Sequence, residues 1–166
     1  MRLVFISHMG VWCAAGSNPG EVRRALAQKT VPVGRLDLPG LDVPYAFATE
    51  AGLPWRARLE EALGRVGEAL DLPGLPAGAP LLMGSSSLAV GATEEQGWPH
   101  PMEAASLEDM VRDIWGIGNR GWLFSNGCTS GVHALDAAVA LIESGGADEA
   151  LVLGVEIVSR TAAAGF

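Results

Sequence analysis

The sequence predicts an α/β fold in which a mostly parallel sheet carries helices on both faces. Strand-like apolar runs alternate with helical patterns along the chain, which is typical of βαβ units. Apolar residues make up 49% of the 166 residues, yet no uncharged apolar run reaches the roughly 18–20 residues that a membrane span needs. The apolar excess therefore indicates strands that are buried on both faces.

Short apolar runs bounded by turn residues predict four strands. They are Leu3–Ser7, Pro80–Gly84, Trp122–Ser125 and Ala150–Glu156. Residues 31–54 and 85–101 contain proline, glycine and small polar residues, so both segments are predicted to be loops. Loops of this length inside a compact domain are usually functional themselves or cover a site.

Apolar residues at helical spacing predict four helices. They are Glu21–Gln28, Trp55–Leu72, Glu103–Trp115 and a helix that begins at Cys128 and ends near Ser144. In the second helix, Leu59, Leu63 and Val66 share one face. The fourth helix is rich in alanine and small all round, so we expect it to be central and buried.

The charge balance and the cysteines restrict the classes of function. The net charge is −8, from 11 basic and 19 acidic residues, which argues against a nucleic-acid partner because phosphates need a basic surface. Cys13 and Cys128 form neither a disulfide framework nor a zinc-ligand spacing, so we expect no metal ion and no other cofactor. Free thiols and an N-terminal apolar run too short for a signal peptide predict a cytoplasmic protein that does not enter a membrane.

Cys128 lies between a predicted strand and the alanine-rich helix. Backbone N–H groups at the start of a helix, together with the helix dipole, stabilise a thiolate, which is the nucleophilic form of cysteine. The same N–H groups can stabilise the oxyanion that forms when a thioester carbonyl is attacked. Free cysteines are more often buried small hydrophobes, so position alone leaves both interpretations open. Cys13 lacks this context and is interpreted as structural.

The three histidines give no clear partner for Cys128. His133 follows it by five residues, which is about 140° around a helix, so the two side chains do not share a face and His133 is interpreted as a core histidine. His8 and His100 lie at a strand end and in a loop. A cysteine hydrolase that uses either of them is therefore an alternative hypothesis.

The segment "CTSGVHALDAAVALIESGGADEALVLGVE" closely resembles the active-site segment of the β-ketoacyl synthases, which are condensing enzymes of the thiolase superfamily. The segments "LVFISHMGVW", "RARLEEALGRVGEAL", "LLMGSSS" and "IGNRGWLFSNGC" are similar to earlier parts of that family's fold. The resemblance spans nearly the whole chain and is strongest from Gly118 to Glu156. It implies a thiolase-like fold in which residues 1–166 form the N-terminal half and the C-terminal half is absent. One departure is Gly127, where the family usually has alanine.

The resemblance implies acyl transfer from an acyl carrier protein to Cys128, followed by decarboxylative condensation with a malonyl carrier protein in fatty acid or polyketide-like synthesis. The backbone N–H of Cys128 would form part of the oxyanion hole, and Phe166 would line the acyl pocket. The family's catalytic histidines lie in its second half, so we expect this chain alone to be incomplete. A dimer is also implied, either a homodimer or a heterodimer with a synthase-like subunit.

The resemblance is compatible with three origins of the chain. The chain stops in the middle of the family's pattern, which favours a piece of a longer synthase over one part of a split enzyme or a synthase-like protein with another role. An alternative function is a non-catalytic synthase-like partner, of the chain-length-factor type, which shapes the pocket of an active synthase. Such partners typically lack the cysteine, so Cys128 argues against this alternative.

Overall fold

A three-stranded parallel sheet lies in the unit formed by residues 1–6 and 74–159 of the computed structural model. The structure describes residues 2–38, 41–45, 48, 52–70, 78–97, 104–119 and 121–164. The strands are β3 (Leu81–Gly84), β4 (Trp122–Phe124) and β5 (Leu151–Gly154), in the order β4-β3-β5. Both pairings are parallel, so all three strands end at one edge of the sheet, the carboxyl edge. These strands and the helices beside them confirm the predicted α/β class.

The described residues of this unit also form three helices. They are α3 (Val90–Gln96), α4 (Ala104–Trp115) and α5 (Ser130–Glu143), and a 3-10 turn at Gly127–Thr129 leads into α5. The helix α5 packs against all three strands. Its Ala134 and Ala138 form a buried cluster with Leu82 of β3. Because small side chains line this face, the helix axis can lie close to the sheet.

The strand β3 is the most buried part of the sheet. Side chains alternate between the two faces of a strand, and Leu82 faces α5. Leu81 and Met83 therefore face the opposite side, and both are fully buried. This apolar run is buried on both faces, as the sequence predicts for a central parallel strand.

Gly84 allows the closest contact between the sheet and α5. A Cβ atom built at Gly84 would lie 2.5 Å from the backbone nitrogen of Gly131 and 2.5 Å from the carbonyl carbon of Ser130. Atoms do not approach so closely, so only glycine fits at this position. The first turn of α5 therefore rests directly on the backbone at the end of β3.

The second unit, residues 7–73 and 160–166, contains the remaining elements. These are α1 (Pro19–Gln28), the antiparallel strands β1 (Gly34–Leu38) and β2 (Leu41–Tyr45), α2 (Trp55–Ala69) and α6 (Arg160–Ala164). The helix α2 buries Trp55, Arg58, Leu59, Ala62 and Leu63. Leu59 and Leu63 belong to the predicted apolar face, whereas Val66 is half-buried.

Several expectations about the elements were wrong. Residues 3–7 do not form a strand, and the side chains of Leu3 and Phe5 are 78% and 79% exposed. The antiparallel hairpin of β1 and β2 lies inside a segment predicted to be a loop, and so does α3. The sequence does carry a hairpin signal, because Leu36–Leu38 and Leu41–Val43 alternate apolar and acidic residues around a Pro-Gly turn pair.

The helix α5 is not buried on all sides, contrary to the expectation. Ser130, Ala134 and Ala138 are its buried residues, whereas Val132 is 65% and Leu135 is 42% exposed. The alanine face, rather than the larger aliphatic residues, packs on the sheet. The small residues determine which face is buried because they allow the closer approach.

We predict that Gly84→Ala lowers the free energy of unfolding by about 1–3 kcal/mol, because the added methyl group must push α5 away from β3. Urea unfolding followed by circular dichroism measures this change. Gly154→Ala is the matched control, since Gly154 pairs with Gly84 in register and a Cβ there meets nothing within 4 Å. Equal losses for the two variants would contradict the proposed close contact.

Side-chain hydrogen bonds cap the start of α1, where Asn18 Oδ1 accepts the N–H of Glu21 at 3.0 Å. In return, Glu21 accepts the N–H and the hydroxyl of Ser17, both at 2.9 Å. These bonds, the backbone N–H of Ser17 first, lower the pKa of Glu21 in the folded state. The carboxylate therefore stabilises the fold above its ordinary pKa, and this contribution is lost as the pH falls through the lowered value.

Glu21→Gln should accordingly reduce stability near neutral pH and make no difference at a pH below the lowered folded-state pKa. Thermal unfolding of the two proteins over a series of pH values measures the difference between them. A difference that stays constant as the pH falls would contradict a role for the charged form of Glu21.

Candidate active site

Cys128 is exposed in the 3-10 turn between β4 and α5. Because β4 ends at the carboxyl edge of the parallel sheet, the turn carries the thiol at that edge. The preceding residue, Gly127, has a φ of +65°. This left-handed conformation favours glycine, which gives a physical reason for glycine directly before the cysteine.

Side-chain hydrogen bonds fix the turn that carries the thiol. The N–H of Asn126 donates to Ser130 Oγ at 2.9 Å, and the Ser130 hydroxyl donates to the carbonyl of Gly127 at 2.6 Å. The Thr129 hydroxyl donates to the carbonyl of Asn126 at 3.0 Å. Ser130 is 2% exposed, so water does not compete strongly for its bonds. The turn is thereby tied to the first residue of α5.

The start of α5 directly follows the Cys128 turn, and the N–H of its first residue, Ser130, already donates to the carbonyl of Gly127. The residue before the helix, Thr129, makes no side-chain capping bond to the N–H groups of the first turn. The first N–H groups of a helix have no carbonyl partner within it, and the helix dipole is positive at this end. Chemically, this arrangement suits a nucleophilic thiol and the oxyanion that its attack on a carbonyl produces.

Glu156 lies at the same edge and holds the two serines that follow β3. The hydroxyl of Ser86 donates to Glu156 Oε1 at 2.7 Å, and the N–H of Ser86 donates to the same oxygen. The N–H and the hydroxyl of Ser87 donate to Oε2 at 3.3 Å and 2.6 Å. Nothing in the sequence signals that Glu156 binds these serines, because they lie 69 and 70 residues away along the chain.

Among the described residues, His133 is the histidine that lies in the same unit as Cys128. His133 is exposed on α5, so its interpretation as a core histidine is wrong. Although His133 is next to Ala134 in the sequence, it does not lie on the buried face of α5, which is formed by Ser130, Ala134 and Ala138. His8 is exposed in the other unit, with Nδ1 3.2 Å from Ser7 Oγ. His100 and Phe166 lie outside the described residues.

Cys13 belongs to the other unit and is half-buried. Its N–H donates to the carbonyl of Gly16 at 3.0 Å, and the N–H of Gly16 donates back to the carbonyl of Cys13 at 3.0 Å. This thiol follows no strand of the parallel sheet and precedes no long helix directly. Cys13 therefore offers an internal comparison for the reactivity of Cys128.

The described part of the chain contains no group of three or more His, Cys, Asp and Glu side chains that could hold a metal ion. None of the helices in this same part is long and apolar enough to cross a bilayer. No known family model, characterised protein or solved structure matches this chain. The functional interpretation therefore depends on the site geometry and on the sequence motifs themselves.

We predict that Ser130→Ala lowers the free energy of unfolding by about 1 kcal/mol, because the N–H of Asn126 loses its acceptor and the carbonyl of Gly127 loses its hydroxyl donor. It should also slow modification of Cys128 by a thiol reagent, since the turn is no longer tied to α5. Unfolding curves and mass-resolved modification rates measure the two effects. Ser144→Ala, which removes an exposed hydroxyl bond at the other end of α5, is the control and should change neither.

Proposed function

We propose that this chain carries the nucleophile of an acyltransferase of the β-ketoacyl synthase type, and that Cys128 is this nucleophile. The supporting observation is an exposed thiol on a hydrogen-bonded turn between a strand of a parallel sheet and the start of a helix. The resemblance of the surrounding motif to that family supplies the substrate class. The proposed substrate is an acyl thioester on an acyl carrier protein.

In the proposed first step, Sγ of Cys128 attacks the thioester carbonyl of the acyl carrier. The carbonyl oxygen becomes an oxyanion, which the N–H of Cys128 and the start of α5 would stabilise. The bond between the acyl carbon and the carrier sulfur then breaks, and the carrier thiolate leaves. The product is an acyl thioester on Cys128, with Phe166 proposed to line the acyl pocket.

The proposed second step joins this acyl group to a malonyl unit. Loss of CO₂ from the malonyl carrier breaks a carbon–carbon bond and leaves a carbanion, which attacks the acyl carbon and releases the Cys128 thiolate. In the resembled family, histidines of a second half promote this step. We therefore propose that the chain acts within a thiolase-like assembly in the cytoplasm, as a homodimer or with a synthase-like subunit, and that alone it stops at the acyl-enzyme.

The exposed position of Cys128 favours this proposal over a non-catalytic partner of a synthase. A partner that only shapes a pocket has no use for a thiol at the carboxyl edge of the sheet. A cysteine hydrolase that uses His8 or His100 stays an alternative hypothesis, because His8 lies in the other unit and His100 lies outside the described residues.

We predict that incubation with an acyl thioester adds one acyl group to the protein at Cys128, because this thiol is exposed and positioned at the start of α5. Intact-protein mass spectrometry followed by peptide mapping detects the adduct. Cys13→Ser should retain the adduct and Cys128→Ser should lose it. An equal adduct on the Cys128→Ser protein would exclude Cys128 as the nucleophile.

A further inference from the structure

We propose that Glu156 is a positioning residue for Cys128. Its carboxylate forms hydrogen bonds that link the segment after β5 to the segment after β3. The end of β3 also contacts the residues before and after the turn that carries the thiol. The importance of this connection for catalysis rests on the proposed function. The hydrogen bonds of Glu156 and their effect on the reactivity of the thiol do not depend on that function.

Four hydrogen-bond donors meet at the side chain of Glu156. Each oxygen of its carboxylate accepts one N–H and one hydroxyl from Ser86 or Ser87. A single exposed hydrogen bond contributes little, but hydrogen bonds to a charged group are stronger than neutral ones. Four bonds that converge on one carboxylate therefore fix the path of both serines relative to β5.

Ser85 connects these two serines to the strand that leads into the turn. It directly precedes them and is 1% exposed. Its N–H donates to the carbonyl of Phe124 at 3.1 Å, at the end of β4. Its hydroxyl oxygen accepts the N–H of Leu88 at 2.9 Å. Since Phe124 lies four residues before Cys128, the segment held by Glu156 also holds the entrance to the turn.

Gly84 connects the same segment to the exit of the turn. It precedes Ser85 and lies against Ser130 and Gly131 at the start of α5. The carbonyl of Gly84 accepts the N–H of Val155 at 3.0 Å, beside Glu156. The end of β3 therefore touches the chain on both sides of Cys128, and Glu156 is the side chain that fixes the segment directly after it.

The pattern of four donors requires a carboxylate. A glutamine at this position keeps one acceptor oxygen, but its NH₂ group cannot accept from the remaining serine donors. Glu156→Gln therefore breaks up to two of the four bonds with little change in size. This variant tests the hydrogen bonds and the charge without leaving a cavity.

The experiment measures alkylation of Cys128 by iodoacetamide in the Cys13→Ser protein, under conditions where circular dichroism shows every variant to be folded. We expect Glu156→Gln to slow alkylation several-fold, because bonds that fix the Ser86–Ser87 segment beside the turn are lost. Glu149→Gln is the matched control, because Glu149 is exposed, precedes β5 and lies away from the carboxyl edge. It should leave the rate unchanged.

A double-mutant cycle with Ser87→Ala separates positioning from general loss of stability. If both residues act through the same bonds, the double variant should be slower by less than the product of the two single effects. A lower melting temperature with an unchanged alkylation rate would overturn the proposal. If Glu156→Gln fails to fold, Ser87→Ala alone decides, and an unchanged rate in that variant would equally overturn it.

Alkylation rates and acyl-adduct formation together distinguish the positioning function of Glu156 from the proposed acyl transfer. Slower alkylation together with no acyl adduct on Cys128 would support the positioning function and reject acyl transfer. An acyl adduct that forms at the same rate in Glu156→Gln and in the unsubstituted protein would reject the positioning function alone.

Discussion

The close contact between Gly84 and the first turn of α5 is the constraint on which the candidate site depends. It requires a residue without a Cβ atom at the end of the central strand. With α5 held at this distance, Ala134 and Ala138 can pack on Leu82. The start of the helix then lies at the carboxyl edge of the sheet, and Cys128 lies there with it. The position of the Cys128 turn therefore depends on the absence of a Cβ atom at Gly84.

The site uses an edge of the sheet that is generally suited to binding. In open α/β sheets, ligands bind outside the carboxyl ends of the parallel strands. The last residues of β3, β4 and β5 are all in register at this edge. The Ser86–Ser87 segment and Glu156 follow β3 and β5 there, and the Cys128 turn follows β4. Because each segment comes from a different strand, hydrogen bonds between the segments determine how well the edge keeps its shape.

The sequence predicted the elements whose signals are local, and it failed where the signal depends on distant partners. The cores of β3, β4, β5, α2 and α4 were found because apolar runs and helical spacing mark them directly. The segment Leu3–Ser7 has the composition of a strand, but a strand also needs a neighbour to pair with. The exposed face of α5 was missed because an alanine-rich helix suggests burial on every side, whereas Val132 and Leu135 are exposed. Glu156 was missed because Ser86 and Ser87 are distant in sequence.

The exposure of Cys128 favours one of the two interpretations that position alone left open. A thiol that serves as a small hydrophobe is buried, and Cys128 is exposed. An exposed thiol is a liability because it is open to oxidation. Gly127 adopts a left-handed conformation, and the buried hydroxyl of Ser130 donates a hydrogen bond within the turn. Such a rigid support is useful where a sulfur atom must meet a carbonyl carbon in a fixed direction, as nucleophilic attack requires.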